Sequence, residues 1–417
     1  MISLELLKYL TFISNSQQTL DEARTKDNSF TRNRGMPFPD ALTFMLDMLR
    51  TTTIQTRLNM FFCNVKGGDP ISQQAFSKLR MNFDHSPFET MVRGLVQKEY
   101  SGNYDLPVWN GYHIFGVDGS YLQLPRVDVM REEFGSRGGV GGKACPGAGV
   151  SILYDVLHGW ALDPIITKAG MDERTECKKH IDFLCRELPH IADKSIIILD
   201  RGYPSLSLFE KLHSANLKFL MRCNSSFVPE VNNAPMGDSI AVLKNGVTVR
   251  IFKFYLPSGE METLVTNLFD LSEEMLPDLY FQRWGIETAY FIFKREICVE
   301  KFSGKTPNSI RQDFWAGMVL LNSVAVFQRE ADAAVRERQK DKCLKHINHA
   351  RTSDLIVTLR DRFVFAVLCG EPMISAIEIE DVIRTMARVV SPIRPGRSFP
   401  RNFKPRFTVN HNLKSHL

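Results

Sequence analysis

The chain has no Cys-x-x-Cys pair, no unbroken apolar run long enough for a bilayer, no internal repeat and no low-complexity tract. Each absence closes off a class of protein. Eight cysteines scattered singly over 417 residues suit reduced thiols rather than a disulfide framework. The longest apolar stretch, AGMVLLNSVAVF at 316–327, is interrupted by Asn322 and Ser323 and reads as a buried helix, too short to span a membrane. The opening MISLELLKYL carries Glu5 within its apolar residues and offers no small-residue cleavage site, so it makes a poor secretory signal. A cytoplasmic protein without a membrane partner is expected. An ATP-binding phosphate loop is also missing. GSRGGVGGKACPGAG (135–149) contains Gly-Lys, but Arg137 and Ala144 stand where a glycine and a hydroxyl residue are required. The segment reads as a mobile loop. Cys343, His346 and His349 recur at a spacing of three on a predicted helix and could face one way, but no fourth zinc ligand stands near them.

Acidic residues are missing from one place. From Ser391 to Leu417 there are six Lys/Arg and no Asp or Glu, which leaves 46 basic against 47 acidic residues in the rest of the chain. Four prolines keep this tail extended rather than helical. It is either a solvated end or a basic arm able to follow a phosphate backbone.

What the sequence does contain is the composition of a globular protein, with 44% hydrophobic and 24% charged residues. Its length exceeds one ordinary core and predicts two or three units. Residues 1–105 read as helical, through FPDALTFMLDMLR (38–50) and ISQQAFSKLRMNF (71–83). The second of these shows a polar face that includes Lys78 and Arg80, a surface suited to phosphates or base edges. From Gly111 the pattern turns to strands, YHIFGVDGSYLQLP and GVSILYDVLHGWALDPIITK, then a helix at 173–188, then the strands KSIIILD and LKFLMRC. The stretch 224–271 is again strand-rich, and long helical sequence follows to about residue 368.

Three acids stand at the ends of elements. Asp118 follows FGV, Asp200 ends IIIL, and Glu287 lies in YFQRWGIETAYFIFK (280–294). On an ideal helix Tyr280, Arg283, Glu287 and Lys294 share a stripe about 60° wide, with Trp284 and Phe291 beside it. A polar stripe among aromatics predicts a half-buried cleft, where a carboxylate needs a cationic partner or a metal. Two strand-end aspartates and a helix glutamate, if they converge, would bind two hard divalent cations through oxygen and support phosphoryl transfer. Taken singly, each acid has a plainer reading. Asp before Gly is turn chemistry, and Glu287 can pair with Arg283 or Lys294 along its helix. Asp172, Glu173 and Glu176 also compete as acids, but they open a helix, where acids favour the dipole.

Tyr280, Arg283, Glu287 and Lys294 fit Y-x2-R-x3-E-x6-K, and on that spacing the chain resembles DDE transposases of the fourth insertion-sequence family of bacteria. VDGSYLQLP (117–125) and LDRGYPS (199–205) resemble that family's two aspartate strands, 82 and 87 residues apart from one acid to the next. LVTNL (264–268), EKFSGKTPNSIRQDF (300–314), FTRNRGMPFPDAL (30–42) and ISQQAFSKLR (71–80) extend the resemblance over nearly the whole chain. The resemblance implies an α/β fold, a ribonuclease-H-like mixed sheet flanked by helices, with a strand-rich insertion and a helical N-terminal domain. The expected organisation is a helical DNA-binding domain at 1–105, a catalytic core at 106–223 and 272–330, the insertion at 224–271, and a helical region with the basic tail at 331–417.

It also implies a transposase that binds terminal inverted repeats, cuts, and joins the freed 3′-hydroxyl to target DNA. Asp118, Asp200 and Glu287 would hold two Mg²⁺ ions, with Mn²⁺ able to substitute. Tyr280, Arg283 and Lys294 would grip phosphates, and Trp284 would stack on a base or pack the helix. Double-stranded DNA is the implied partner, bound by a dimer in the synaptic complex of a nucleoid-associated bacterial protein. A nuclease that only hydrolyses DNA, or a catalytically silent DNA-binding protein, is the alternative.

Overall fold

The structure is a computed structural model that describes residues 1–31, 35–47, 52–102, 104–138, 144–224 and 226–394. Residues 139–143 and the tail beyond Arg394 lie outside the described residues, and with the tail the expectation of a basic arm; of the segment 135–149 expected as a loop, Ser136–Arg137 and Cys145–Gly149 are instead strand, paired with each other at Ser136–Pro146 and Arg137–Cys145.

Among the described residues nine strands form one mixed sheet: β1 (His113–Gln123), β2 (Ser136–Arg137), β3 (Cys145–Asp155), β4 (Trp160–Lys168), β5 (Ser195–Leu199), β6 (Lys218–Arg222), β7 (Gly237–Val242), β8 (Thr248–Tyr255) and β9 (Met261–Thr266). The strands β1, β3 and β4 are antiparallel neighbours, and β5 and then β6 add in parallel on the other side of β1. The stretch 224–271, expected as an insertion, continues this sheet rather than folding apart from it. Its strand β9 pairs antiparallel with β6, and β8 and β7 follow outward.

The sequence KSIIILD accounts for the centre of the sheet. A run of β-branched residues favours a strand, and alternation sends its side chains to opposite faces. Ile196 and Ile198 pack with Ile114, Leu220 and Leu264 on one face, while Ile197 and Leu199 join Phe115, Val117 and Phe219 on the other. Burying each such side chain contributes about 1.5–3 kcal/mol.

Helices cover both faces. Six precede the sheet: α1 (Ser3–Asn15), α2 (Gln17–Ala23), α3 (Phe38–Asp47), α4 (Ile54–Phe61), α5 (Gln73–Leu79) and α6 (Ser86–Ser101). Within or after it come α7 (Asp128–Phe134), α8 (Glu173–Glu187), α9 (Pro189–Ala192), α10 (Leu206–Ser214), α11 (Pro229–Asn232), α12 (Met275–Phe281) and α13 (Trp284–Phe291). The chain then runs through α14 (Pro307–Gln339), α15 (Thr352–Cys369) and α16 (Pro372–Met386). Helices from the two ends of the described chain lie together: Thr11 of α1 donates to the Val367 carbonyl of α15 at 2.8 Å, and Ser3 reaches Glu330 of α14 at 2.6 Å.

The apolar run around Asn322 is indeed buried helix, the middle of α14. Asn322 accepts from the Ala161 amide at 2.9 Å and donates to the Ala161 carbonyl at 3.0 Å, so the polar break in the run satisfies the free edge of β4. Cys343 and His346 lie in irregular chain after α14, and His349 lies in the short strand β10 (Asn348–Ala350), which pairs with β11 (Val390–Pro392). The helix predicted for those three residues is absent, and Asp341, Lys342 and Lys345 around them are polar enough to stay in solvent.

Arg80 requires a correction. Expected on a DNA-facing surface, it is 2% exposed and held by the start of α14. Its Nε donates to Gln312 at 2.9 Å, one terminal nitrogen reaches Asp313 at 3.1 Å and the Ser309 carbonyl at 3.2 Å, and the other bonds Ser303. The helical period was right, but the wheel of a short helix does not say which polar residue turns inward. Lys78, two residues earlier, is exposed. Truncating Arg80 leaves Asp313 buried without its cation, so Arg80→Ala is expected to lower stability by about 3–5 kcal/mol. Urea unfolding that shows a loss below about 1 kcal/mol would remove the network from the account of the fold.

Candidate active site

Asp118 lies in β1 and Asp200 immediately follows β5, its parallel neighbour. The register pairs Ile114 with Ile196 and Gly116 with Ile198, and two residues further it brings Asp118 level with Asp200. Adjacent strands are about 4.8 Å apart, so the fold itself sets two carboxylates side by side. Each is fixed by a nearby amide: Asp118 Oδ1, in mid-strand rather than at the expected strand end, accepts from the Gly119 amide at 2.9 Å, and Asp200 Oδ1 from the Gly202 amide at 2.8 Å in the turn after β5. Burial raises the Asp118 carboxyl to about 7, and the neighbouring Asp200 charge pushes the same way. The Arg283 guanidinium opposes both.

The helix bearing Arg283 and Glu287 makes two of its contacts at glycines. A methyl group on Gly116 would stand 3.5 Å from Ile286 Cβ, and one on Gly285 would stand 2.9 Å from Val156 Cβ. The hydrogen at Gly285 lets α13 lie close against Val156, which follows β3, while the distance from Gly116 to Ile286 is ordinary van der Waals contact. Tyr290 completes the contact, donating to the Asp118 carbonyl at 2.9 Å from a buried ring. Sequence reasoning passed over Tyr290, which looks like one more aromatic in an apolar face.

The signature is not one continuous helix. Tyr280 lies in the last turn of α12, Gln282 and Arg283 turn the chain, and Trp284 opens α13. The last turn, Ile292–Glu296, is widened to one extra residue, with the Ile297 amide reaching the Ile292 carbonyl at 2.8 Å. Lys294 lies in this turn. Its ammonium donates to Ser120 Oγ at 2.8 Å and to the Tyr121 carbonyl at 2.7 Å, so it fastens the strand end beyond Asp118. Burial lowers its pKa.

Arg283 is 9% exposed and donates to Glu287 Oε1 at 2.6 Å. Its guanidinium lies 5.9 Å from the Tyr280 ring centre and 5.8 Å from that of Trp284. Trp284 is thus engaged with Arg283 while 43% exposed, and burial moves the Tyr280 hydroxyl up to about 12. The pairing of Glu287 along its own helix is the plainer of the two readings its sequence allowed.

These groups suit hard divalent cations in one respect and not yet in another. Asp118 and Asp200 offer only oxygen, they repel each other, and Asp118 is desolvated, which is the situation a cation relieves. Glu287 is held by Arg283. Among the described residues no three His, Cys, Asp or Glu side chains are gathered to hold a metal ion, so Glu287 can join only by exchanging its arginine.

A family model described as the transposase DDE domain matches residues 109–323, more than half of the chain. The chain belongs to the DDE transposase-domain family. No curated relative matches it by sequence. Among solved structures, a cryo-EM structure of the piggyBac transposase synaptic complex with hairpin DNA superposes at a TM-score of 0.51. It is 13% identical, and the match covers 95% of this chain and 87% of that one. At that identity the likeness speaks for the fold. This DDE transposase therefore has a ribonuclease-H-like sheet, and its strand order β4-β3-β1-β5-β6 agrees with that fold. DDE domains act on DNA with divalent metal ions. Among the described residues no helix is long and apolar enough to cross a membrane.

Glu173 opens α8, as its place at a helix start predicts, and it is also turned inward. A methyl group on Gly119 would stand 2.7 Å from its Oε1. Burial and the Asp200 charge raise its pKa.

Because the Asp118 carboxyl is held near 7 in the folded chain against 3.8 when unperturbed, the metal-free folded state keeps a proton that the unfolded state has released. Stability then falls as pH rises across that window. In metal-free urea unfolding from pH 5 to pH 8, wild type is expected to lose more stability than Asp118→Asn. Identical slopes for the two proteins would refute this.

Proposed function

We propose that this DDE transposase is the enzyme of a bacterial insertion sequence of the fourth family, one that binds the element's terminal inverted repeats, cuts there, and joins the freed end to target DNA. The family assignment supports phosphoryl transfer on DNA, and one observation carries the detailed reading. Asp118 and Asp200 stand level on adjacent parallel strands, with the Arg283–Glu287 helix packed directly against them.

In this reading Asp118, Asp200 and Glu287 hold two divalent cations. The all-oxygen donor set fits Mg²⁺, and Mn²⁺ can substitute. When bound, such a pair activates an attacking oxygen and stabilises the leaving one. Water then cuts a phosphodiester at the element's end and frees a 3′-hydroxyl. That hydroxyl attacks a phosphodiester of the target, whose own 3′-oxygen leaves, and no bond to the protein forms at either step.

Arg283 is built to meet the phosphate. Its side chain is desolvated and oriented by two rings, and its Nε, although buried, has no hydrogen-bond partner. An incoming phosphate can accept from that nitrogen and from a terminal one together. Tyr280 sits on the same guanidinium and braces it. Lys294 acts on the strand rather than on DNA, holding the segment after Asp118 in place through Ser120 and Tyr121. Lys78, exposed on α5, remains a candidate for sequence-independent phosphate contact. Cutting two ends together calls for a dimer assembled on double-stranded DNA, and the hairpin DNA in the piggyBac complex makes a hairpin intermediate one excision product to look for.

The test uses linear DNA carrying the element's own end, with and without Mg²⁺. Wild type is expected to nick at the end and to join the 3′-hydroxyl to a second DNA. Asp118→Asn, Asp200→Asn and Glu287→Gln should bind that DNA within about twofold of wild type and cut it about 10³-fold more slowly or worse. Cleavage without joining would make the protein a nuclease. Binding by all four proteins with cleavage by none would assign it to DNA binding alone.

A further inference from the structure

Arg222 ends β6, and the sheet sets it in one row with the two aspartates. The register pairs Gly116 with Ile198 and Ile198 with Leu220, so two residues further Asp118, Asp200 and Arg222 stand level across three parallel strands. Alternation along the strands turns all three side chains to one face, which carries Ile114, Ile198 and Leu220 and is covered by Leu276 and Leu279 of α12. Arg222 stands one strand, about 4.8 Å, beyond Asp200.

Its partner in the folded chain is a carboxylate on β9. Leu264 lies directly opposite Arg222, and Glu262 is on the diagonal, with Arg222 Nη2 at 3.0 Å from Glu262 Oε2 and 3.6 Å from Glu260 Oε1. A diagonal cross-strand ion pair needs no role beyond fastening β9 to β6. Arg250, on the neighbouring strand β8, shows what that role looks like. It donates to both oxygens of Asp238 at 2.8 Å and to the Leu268 carbonyl at 2.9 Å. Arg222 is held differently. Among the described residues it donates no hydrogen bond, so it meets Glu262 as a charge alone. Its side chain is 27% exposed, whereas that of Glu262 is 6% exposed. The guanidinium thus reaches toward solvent with its fork of donors unspent.

The same corner of the sheet gathers other cations. Burial raises the Glu262 carboxyl and the Glu260 charge pushes with it, while Arg222, then Arg201 and Arg283, pull it back. Burial also raises the Tyr280 hydroxyl, against Arg283 first and Arg222 second. Arg222 therefore belongs to the charged cluster that contains Arg283, on the face where the aspartates open.

We infer that Arg222 binds a phosphate of the DNA strand being cut, next to the phosphate at Asp118 and Asp200, and that Glu262 occupies its guanidinium until DNA displaces it. The inference rests on the DNA-cutting reading above. A phosphate offers the arginine fork two acceptors at once, which Glu262 in its present position does not.

The test is binding of the full chain to linear DNA carrying the element's own end, with single phosphates near the cut replaced in turn by neutral methylphosphonate. In wild type, neutralising the phosphate that Arg222 holds should weaken binding about tenfold. Arg222→Ala should bind unmodified DNA about tenfold more weakly, be indifferent to that one replacement, and stay sensitive to others. The slope of its log affinity against log salt should be smaller by about 1. Because Arg222→Ala leaves Glu262 without its cation, the double variant Arg222→Ala/Glu262→Gln is run beside it and should show the same pattern. Glu262→Gln alone should tighten binding about two- to fivefold, and that gain should vanish in the Arg222→Ala background. If the single and double Arg222 variants, folded by circular dichroism, keep the wild-type pattern of sensitivity, Arg222 touches no phosphate and the inference fails while the DNA-cutting reading stands. A Glu262→Gln protein that binds no tighter than wild type would make the pair a fastening and nothing more. If wild type does not bind the element's end, the DNA-cutting reading fails and this inference goes with it.

Discussion

Two like charges held side by side are the constraint around which this molecule is arranged. The parallel pairing of β1 with β5 leaves Asp118 and Asp200 little freedom to separate, because Asp118 belongs to β1 and Asp200 directly follows β5, whose residues are buried on both faces. In water two carboxylates would move apart or stay hydrated. Here the hydrophobic cost of breaking the sheet exceeds the repulsion, so the strain appears as a shifted proton affinity at Asp118 and a demand for positive charge. The neighbouring chemistry answers that demand. Arg283 leans toward Asp118 from a desolvated position, Lys294 fastens the strand end, and the glycine at 285 allows the helix that carries them to approach.

The helical layers serve the same purpose at longer range. The helix α14 reaches from the Arg80 cluster at its start to Glu330 beside Ser3, and on the way it closes the β4 edge through Asn322. The strands that present the aspartates are thereby held by residues far away in sequence. Buried ion pairs such as Arg80–Asp313 add little net stability compared with apolar packing, but they strongly penalise any other arrangement.

Much of this was legible in the sequence because local rules and global fold agree there. KSIIILD could hardly be anything but a buried strand, and Asp200 does follow its end, whereas Asp118, expected at a strand end, stands in the middle of β1, which runs on to Gln123. The spacing of Tyr280, Arg283, Glu287 and Lys294 pointed to the right helix. What failed was orientation. Arg80 and Lys78 look alike on a helical wheel, and only Asp313 and Gln312 on α14, more than two hundred residues away, decide which one is buried. The partners of Lys294, Ser120 and Tyr121, lie on β1, and no helical wheel could name them. Glu173 was hidden by having a sufficient local explanation. Its approach to Asp200 depends on where α8 lands on the sheet, which is tertiary information.

The stretch 224–271 that continues the sheet has a consequence for how such a chain can vary. By pairing β9 with β6, it moves the open edge of the sheet out to β7, three strands or about 14 Å from β6. Residues there face solvent, as Ile240 and Val242 do. Changes of length or composition at that margin are insulated from the charged centre by well-formed hydrogen-bonded ladders. The hairpin of β7 and β8 is therefore where this fold can drift, shorten or acquire new attachments while the geometry of the two aspartates stays untouched.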